Sequence, residues 1–344
     1  MTETPDRREL LEGCAREPIH VPGAIQPHGS LIAFEQGVAV TASADRADAL
    51  GRTLVDLFGE AAASAIEQAA PGLPLSIRTP EGAEYDVTTH RSGDLTRIVE
   101  CEPPSSDADE QLGLLEALRS LQAATTTGQL LDATATAVRA LIDFDRVMIY
   151  RFDPEWNGEV VAEARSAALD PFLGLRYPAS DIPPQARALY LRNPIRLIPT
   201  SHHEPVPLVS SPDAAAPLDL SDATLRAVSP VHLEYLRNMG VSASMSAALT
   251  VDGALWGLVA CHHYAEPRRP SPRTRAAVDV VAKTASALLA QFEAAAAASE
   301  RVELLLRIDA LGTRLAESDT DPLRALTGTD AALADVVSAD GAAT

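Results

Sequence analysis

Short apolar runs divided by turn residues mark the first regular part of the chain. Residues 31–34 (Leu-Ile-Ala-Phe) and 38–40 (Val-Ala-Val) flank Gln36-Gly37, the pattern of a two-stranded hairpin. An alanine-rich stretch over 44–70 predicts helix. Residues 75–79, 84–91 and 95–102 then predict three strands, separated by the turn signals Glu81-Gly82 and Ser92-Gly93-Asp94. A second unit opens with helices over 107–121 and 128–142; in the latter, Leu130, Leu131, Val138, Leu141 and Ile142 keep helical spacing. Strands follow at 144–152 and 158–164. A second strand pair, 242–251 and 254–264, is joined by Asp252-Gly253, a two-residue hairpin turn. Residues 198–220, rich in Pro and Ser, read as a long loop between the halves of that sheet.

Residues 271–315 predict one long helix or two in series. Val278, Val281, Ala285, Leu288, Phe292, Ala295, Val302 and Leu306 fall on an a/d heptad frame, weakest at Ser299, which predicts a packing face and a dimer bundle. The fold class is therefore α+β: two antiparallel sheets with flanking helices, then a long C-terminal helix. The domain expectation is an N-terminal extension over 1–29, a first domain over 30–106 and a second over 107–299. Residues 300–344 are then a linker helix with a disordered tail or the severed start of a further domain.

Composition narrows the function. The chain has 344 residues, 46% hydrophobic and 22% charged, enough for two or three cores. With 48 acidic against 28 basic residues its net charge is −20, which argues against nucleic acid or an anionic membrane as partner. Met1 to Leu10 is mostly polar, and the tract 276–298 is broken by Asp279, Lys283, Gln291 and Glu293. Neither a signal peptide nor a membrane span is expected, and the localisation expected is cytoplasmic. Cys14, Cys101 and Cys261 are odd in number, far apart and without a CxxC, so at least one thiol is free.

The candidate chemistry lies in a few stretches. Pro178-Ala179-Ser180-Asp181-Ile182-Pro183-Pro184-Gln185-Ala186-Arg187 places a carboxylate before a double proline that suits a first helical turn, with Ser180 or Asp181 expected to cap that helix. Read alone, this is a capped helix start. The run from Cys14 to Gly29 contains three prolines and two glycines and predicts an extended, turning segment, in which a lone cysteine is an ordinary free thiol. Residues 226–241 contain Ser229-Pro230-Val231-His232 and Tyr235, and residues 256–263 read Trp-Gly-Leu-Val-Ala-Cys-His-His. His202 and His203 lack a third ligand at metal spacing and read as solvated loop residues. His90 reads as structural, with no partner in view.

Taken in order from residue 14 to residue 263, with Asp145-Arg146-Val147-Met148 between them, these stretches resemble the chromophore-binding region of bacteriophytochromes. The resemblance implies a PAS domain, then a GAF domain, and a figure-of-eight knot in which the segment around Ile25 threads the loop over 198–220. It implies biliverdin as cofactor, joined by a thioether to Cys14. Val231 stands where plant and many cyanobacterial relatives carry the attachment cysteine, and a valine forms no thioether. Carried over position by position, Arg196 and Arg226 are the propionate donors, with Ser244 and Ser246 as hydroxyl donors. Asp181 and His232 support the ring nitrogens, Tyr150, Tyr177 and Tyr235 wall the D ring, and His262 bonds its carbonyl. Ile182, Pro183, Tyr190 and Ser229 complete the implied site.

The chemistry of such a pigment fits these residue types. Two carboxylates call for planar guanidinium forks, and a buried cation needs acceptors. The function implied is red/far-red photosensing by Z-to-E isomerisation of the D ring, without enzyme activity. A homodimer through the GAF and C-terminal helices is the expected assembly. Neither a kinase motif nor a Pro-Arg-x-Ser-Phe tongue motif occurs, so the PHY and output domains are expected to be absent and Asp181 is expected to face solvent. The alternative reading is a GAF sensor of a small ligand of the cyclic-nucleotide type. An enzyme built on His232, Asp181 and Cys261 lacks a nucleophile elbow, metal spacing or phosphate loop. A purely structural dimerising module is suggested only by the heptads.

Overall fold

The computed structural model describes residues 17–105, 110–212, 214 and 217–317; Cys14 and the expected tail lie outside the described residues. The chain enters through β1 (Ala24–Ile25), then β2 (Ser30–Glu35) and β3 (Val38–Ser43). Gln36 and Gly37 have φ of 50° and 84°, the left-handed pair that a two-residue hairpin turn requires. A 3-10 segment (Ala44–Ala49) leads to α1 (Leu54–Phe58) and α2 (Glu60–Gln68). A capping box starts α1: the Asp56 N–H donates to Thr53 Oγ1 at 3.2 Å, and the Thr53 N–H donates to the Asp56 carboxylate at 2.9 Å. Strands β4 (Leu75–Arg78), β5 (Glu84–Ser92) and β6 (Thr96–Glu102) follow as a meander.

Helices α3 (Glu110–Gln122) and α4 (Thr127–Ile142) come next, then β7 (Arg146–Phe152), β8 (Gly158–Arg165) and β9 (Arg176–Tyr177). A 3-10 turn over Ala179–Asp181 precedes α5 (Pro184–Arg192), β10 (Ile195–Ile198) and β11 (Val206–Ser210). The described chain ends with α6 (Pro230–Asn238), β12 (Ala243–Val251), β13 (Ala254–His263) and α7 (Pro272–Glu317). Residues up to Ala287 form one compact unit, and the rest of α7 belongs to another.

The first sheet runs β1-β11-β3-β2-β6-β5-β4 and the second β10-β12-β13-β7-β8-β9, both antiparallel. β2 reads as a continuous apolar run because both its faces are covered. Ile32 and Phe34 pack with Leu57, Phe58, Ile66 and Val87, while Leu31 and Ala33 pack with Ile25, Ile98, Leu220 and Leu225. Each large side chain so buried contributes about 1.5–3 kcal/mol of transfer free energy. In the second sheet, α4 buries Leu130, Leu131, Val138 and Ile142, as its spacing predicts.

Three expectations need correction. The loop expected over 198–220 contains β11, which pairs with β3 through Leu208, Val209 and Ser210 and with β1 through Val206 and Pro207. Its partners are remote, as with Thr41 and Ser210 at a separation of 169 residues, so no local pattern announces it. Neither Ser180 nor Asp181 caps α5. Pro183 is the N-cap, with Pro184 at the first helical position, and the two polar residues belong to the preceding 3-10 turn. His90 has a neighbour, its Nδ1 lying 3.6 Å from Glu100 Oε2 with both side chains buried. Along the heptad frame, Val278, Val281 and Ala285 are buried, whereas Val302 and Leu306 are exposed.

Residues 20–27 are held through their backbone by β11 on one side and by residues 220–227 on the other. Leu208 N donates to Gly23 O at 2.9 Å and Leu220 N to His20 O at 2.8 Å. Gln26 N donates to Leu225 O at 2.7 Å, and Ala227 N to Ala24 O at 3.1 Å. The extended segment thus has partners on both edges, which satisfies buried backbone groups that proline and glycine leave outside any helix.

Central strands tolerate little added volume at Gly257, where a Cβ would meet the Tyr150 carbonyl oxygen at 2.3 Å. Gly257→Ala is expected to lose about 1–3 kcal/mol of stability, read as a lower urea midpoint. Gly128→Ala, with nothing near its added methyl, serves as the control. Equal midpoints for the two variants would show that the β13–β7 contact relaxes freely.

Candidate functional site

Strand alternation assembles the floor of the site. The pairs Ser244↔His262, Ser246↔Ala260 and Ala248↔Leu258, continued by Ala260↔Met148 and Leu258↔Tyr150, put these residues on one face of three neighbouring strands. Met245, Val259 and Cys261 point to the other face. Cys261 is fully buried there, and desolvation pushes its thiol pKa well up, so the neighbour of His262 is an inert core residue.

Over this floor lie the 3-10 turn, α5 and α6, enclosing a cavity of about 280 Å³. Every candidate residue among the described ones lines it. Tyr150 and Tyr177 come from strands, Asp181, Ile182, Pro183 and Tyr190 from the turn and α5, and Arg196 from β10. Arg226, Ser229, His232 and Tyr235 come from α6 and its approach, and Ser244, Ser246 and His262 from β12 and β13. His232 and Tyr235 are three apart on α6, so they share a face, and their rings stack at 6.1 Å.

One end of the cavity is positive. Arg226 is buried and Arg196 half-buried. Arg196 Nη2 donates to Ala227 O and Arg226 Nη1 to Ile19 O, both at 2.9 Å. Arg196 Nη1 and Arg226 Nε are buried without a hydrogen-bond partner. Desolvation, then the charge of Arg226, lowers the Arg196 pKa to about 9; desolvation likewise lowers that of Arg226. Tyr190 hydrogen-bonds Ser246 beside them. Two like charges held together with unused donors make a receptor for carboxylates.

The other end is aromatic and apolar. Tyr150 and Tyr177 lie 6.0 Å apart, Phe152 meets Tyr150 edge-on, and Met148, Val160 and Leu258 fill in around them. Gly158 makes room for the Tyr150 ring, since a Cβ there would lie 1.6 Å from it. Asp181 does not simply face solvent: it is half-buried, and Tyr235 Oη donates to its Oδ2 at 3.0 Å. Burial first, then the Asp181 charge and this bond, raises the Tyr235 pKa.

Both cavity histidines are driven toward the neutral form. Desolvation, then Arg146 and His232, lowers the His262 pKa to about 4, and its Nδ1 is buried without a hydrogen-bond partner. His232 is exposed at the cavity wall. Desolvation followed by the charge of Arg196 lowers its pKa as well.

Several lining residues were not foreseen from the sequence. Met148 was legible, two residues before Tyr150 on one strand face. Glu17 and Ile19 were not, because only the long-range pairing of residues 20–27 brings them to α6. There Ser229 Oγ donates to Glu17 Oε2 at 2.6 Å instead of capping the helix. Among the described residues no group of His, Cys, Asp and Glu is arranged to hold a metal ion.

Comparison with known proteins gives the family. Residues 14–104 match the PAS fold and residues 126–291 the GAF domain. The chain is 40% identical over 355 residues to a bacteriophytochrome of Xanthomonas campestris, covering 97% of this chain and 56% of that protein. It is 41% identical to the chromophore-binding domain of Stigmatella aurantiaca bacteriophytochrome in the Pr state, covering 81% of this chain and 99% of that one, with a TM-score of 0.75. The chain belongs to the bacteriophytochromes. The Stigmatella aurantiaca phytochrome photosensory core module aligns with this bacteriophytochrome at 38% identity and a TM-score of 0.84, over 94% of this chain and 69% of that one. The chain spans about half the length of the curated relatives it matches.

The histidine environment gives a pH test. A buried imidazole with a depressed pKa stabilises the fold fully above the unfolded value of about 6.5, and that stability is lost as pH falls toward 4. His262→Gln is therefore expected to flatten the fall in urea midpoint between pH 6.5 and 4. In the parent protein, the His262 ring should keep neutral-imidazole NMR shifts down to pH 5. A ring that titrates near 6.5 would refute the environment described.

Proposed function

We propose that this chain is a light-sensing module that binds biliverdin in the GAF cavity, with Cys14 as the thioether residue. The observation that carries the reading is the pair of guanidiniums with unpartnered buried N–H groups in a cavity also lined by tyrosines and apolar side chains. A linear tetrapyrrole has the matching chemistry, with two carboxylates on an apolar conjugated body. Arg196 and Arg226 hold those carboxylates, helped by Ser244, Ser246 and Tyr190. Asp181, braced by Tyr235, and His232 offer acceptors near the ring nitrogens, and His262 offers a donor toward the aromatic end. Bound biliverdin supplies the photochemistry, absorption of red light and Z-to-E isomerisation at its D ring. Tyr150, Tyr177 and Tyr235 exclude water there and leave rotational room.

Cys14 stands three residues before Glu17, which lines the cavity, and three residues of chain reach about 10 Å at most. Val231, also at the cavity wall, has no thiol to offer. The backbone partners on both edges of residues 20–27 support the inferred threading of this segment through the following domain as a knot. The division into 1–29, 30–106 (PAS), 107–299 (GAF) and 300–344 belongs to the same reading. So do a cytoplasmic location and a homodimer through the GAF and C-terminal helices. Exposed Leu112 and Leu115 on α3, and exposed Leu305 and Ile308 on α7, support the dimer.

Mixing the protein with biliverdin should give a red-absorbing complex. On denaturing electrophoresis with zinc-induced fluorescence, pigment should travel with the chain. Cys14→Ser should abolish the fluorescent band but keep a coloured, non-covalent complex. A band that survives Cys14→Ser and disappears in Cys261→Ser would overturn the attachment, and a colourless mixture would overturn the function.

The acceptor roles have their own test. Asp181→Asn and His232→Ala should each bind pigment but titrate it to the neutral form at lower pH than the parent, because lost acceptor support lowers the pKa of a buried cation. Absorbance against pH decides it; unchanged titration in both variants would remove these residues from the role.

A further inference from the structure

The segment carrying Arg226 is gripped from the first sheet. Its outer face, opposite α1 and α2, presents Leu31, Ala33 and Ile98 to Leu220, Ala223 and Leu225. Strand alternation places Glu100 of β6 on that same face, and it is 2% exposed. Residues 224 and 225 lie outside any strand or helix, so their backbone donors have no ladder partner. Glu100 takes both: Thr224 N donates to Oε2 at 3.1 Å and Leu225 N to Oε1 at 2.6 Å. The other side of the Leu225 peptide is fixed too, with its carbonyl accepting from Gln26 N at 2.7 Å, and Arg226 bridges to Ile25. Only then does the chain present the Arg226 guanidinium to the cavity.

We propose that Glu100, a residue of the PAS sheet, is the positioning residue that fixes Arg226 for carboxylate recognition in the GAF cavity. The proposal rests on the reading above that Arg226 holds a ligand carboxylate. A carboxylate is the side chain suited to the task, because its two oxygens accept from two adjacent N–H groups at once. A glutamine has a single carbonyl oxygen, and its NH2 group would face one of those N–H donors, leaving a buried donor unpaired. The Arg226 backbone would then relax away from its place.

The position is a demanding one for a charge. Burial raises the Glu100 pKa to about 7, against the pull of the two backbone bonds, and Glu102 raises it further while Arg275 lowers it. His90 from β5 lies alongside at 3.6 Å, itself held down to about 4 by burial. A residue kept at such a desolvation cost, where an apolar one would pack with Ile98 and Leu225, is explained by the two donors it satisfies.

The test compares biliverdin with its dimethyl ester, which lacks the carboxylates, by absorbance titration of the full chain. A Cys14→Ser background keeps binding reversible. The parent should prefer the acid, and Arg226→Met should lose that preference. Glu100→Gln is expected to weaken binding of the acid about tenfold and leave the ester within twofold. Glu100→Asp keeps the charge but withdraws it by one methylene, so it should act alike, and it decides the matter if Glu100→Gln does not fold.

Loss of preference in Arg226→Met but not in the Glu100 variants would overturn the positioning role while the carboxylate reading stands. No preference in the parent, or none lost in Arg226→Met, would overturn that reading and this one with it. Equal weakening of acid and ester by the Glu100 variants would mark general loosening and overturn the proposal.

Discussion

The backbone pairing of residues 20–27 is the constraint on which the arrangement depends. An extended segment without a helix or hairpin of its own has to place its N–H and C=O groups somewhere, and leaving them buried and unpaired would cost about 1–3 kcal/mol each. Here one edge pairs with residues 206–208 and the other with residues 225–227. The first pairing extends the PAS sheet with a strand from the GAF insertion. The second fixes the approach to α6, and with it one wall of the cavity. Gln26 adds a side-chain link, its buried amide donating to Leu197 O at 3.0 Å, so the strand that carries Arg196 is tied to the same segment.

Charge is handled in two ways in this molecule. On the outer face of β6, Glu102 is nearly buried but paired with Arg275 and Arg269, and those partners with its hydrogen bonds lower its pKa against desolvation. Arg146, also buried, pairs with Glu163 and lies over the Phe172 ring at 3.7 Å. These are closed networks, in which each charge has its counter-charge. Arg196 and Arg226 are left open instead, adjacent to each other with donors unused. Beside these two closed networks, the open pair of guanidiniums is the feature suited to an anionic ligand.

The tyrosines follow the same logic of partial satisfaction. Tyr235 donates to Asp181, which orients the carboxylate and removes one freedom of the loop before any ligand arrives. Tyr150 is held in place because Gly158 opposite it has no Cβ. The aromatic end is therefore preorganised by packing and the positive end by backbone hydrogen bonds, and the cavity between them has to close around little but the ligand itself.

Local pattern determined most of the strands and helices. The Asp252-Gly253 turn signal marked the hairpin of β12 and β13, and helical spacing marked α4; each depends on neighbours within a few residues. The candidate site residues were legible as a set through the resemblance of their motifs to a known family, and those described all line one cavity. Tertiary structure alone decided what depends on remote partners. β11 exists only because β3 and β1 offer it edges, and Glu17 reaches the cavity only through the same pairing. Asp181, a cap by local rules, became a partner of Tyr235, and His90, partnerless in the sequence, lies beside Glu100. Propensity and periodicity are short-range quantities, whereas a hydrogen bond between residues 100 and 225 is settled only once the two sheets have met.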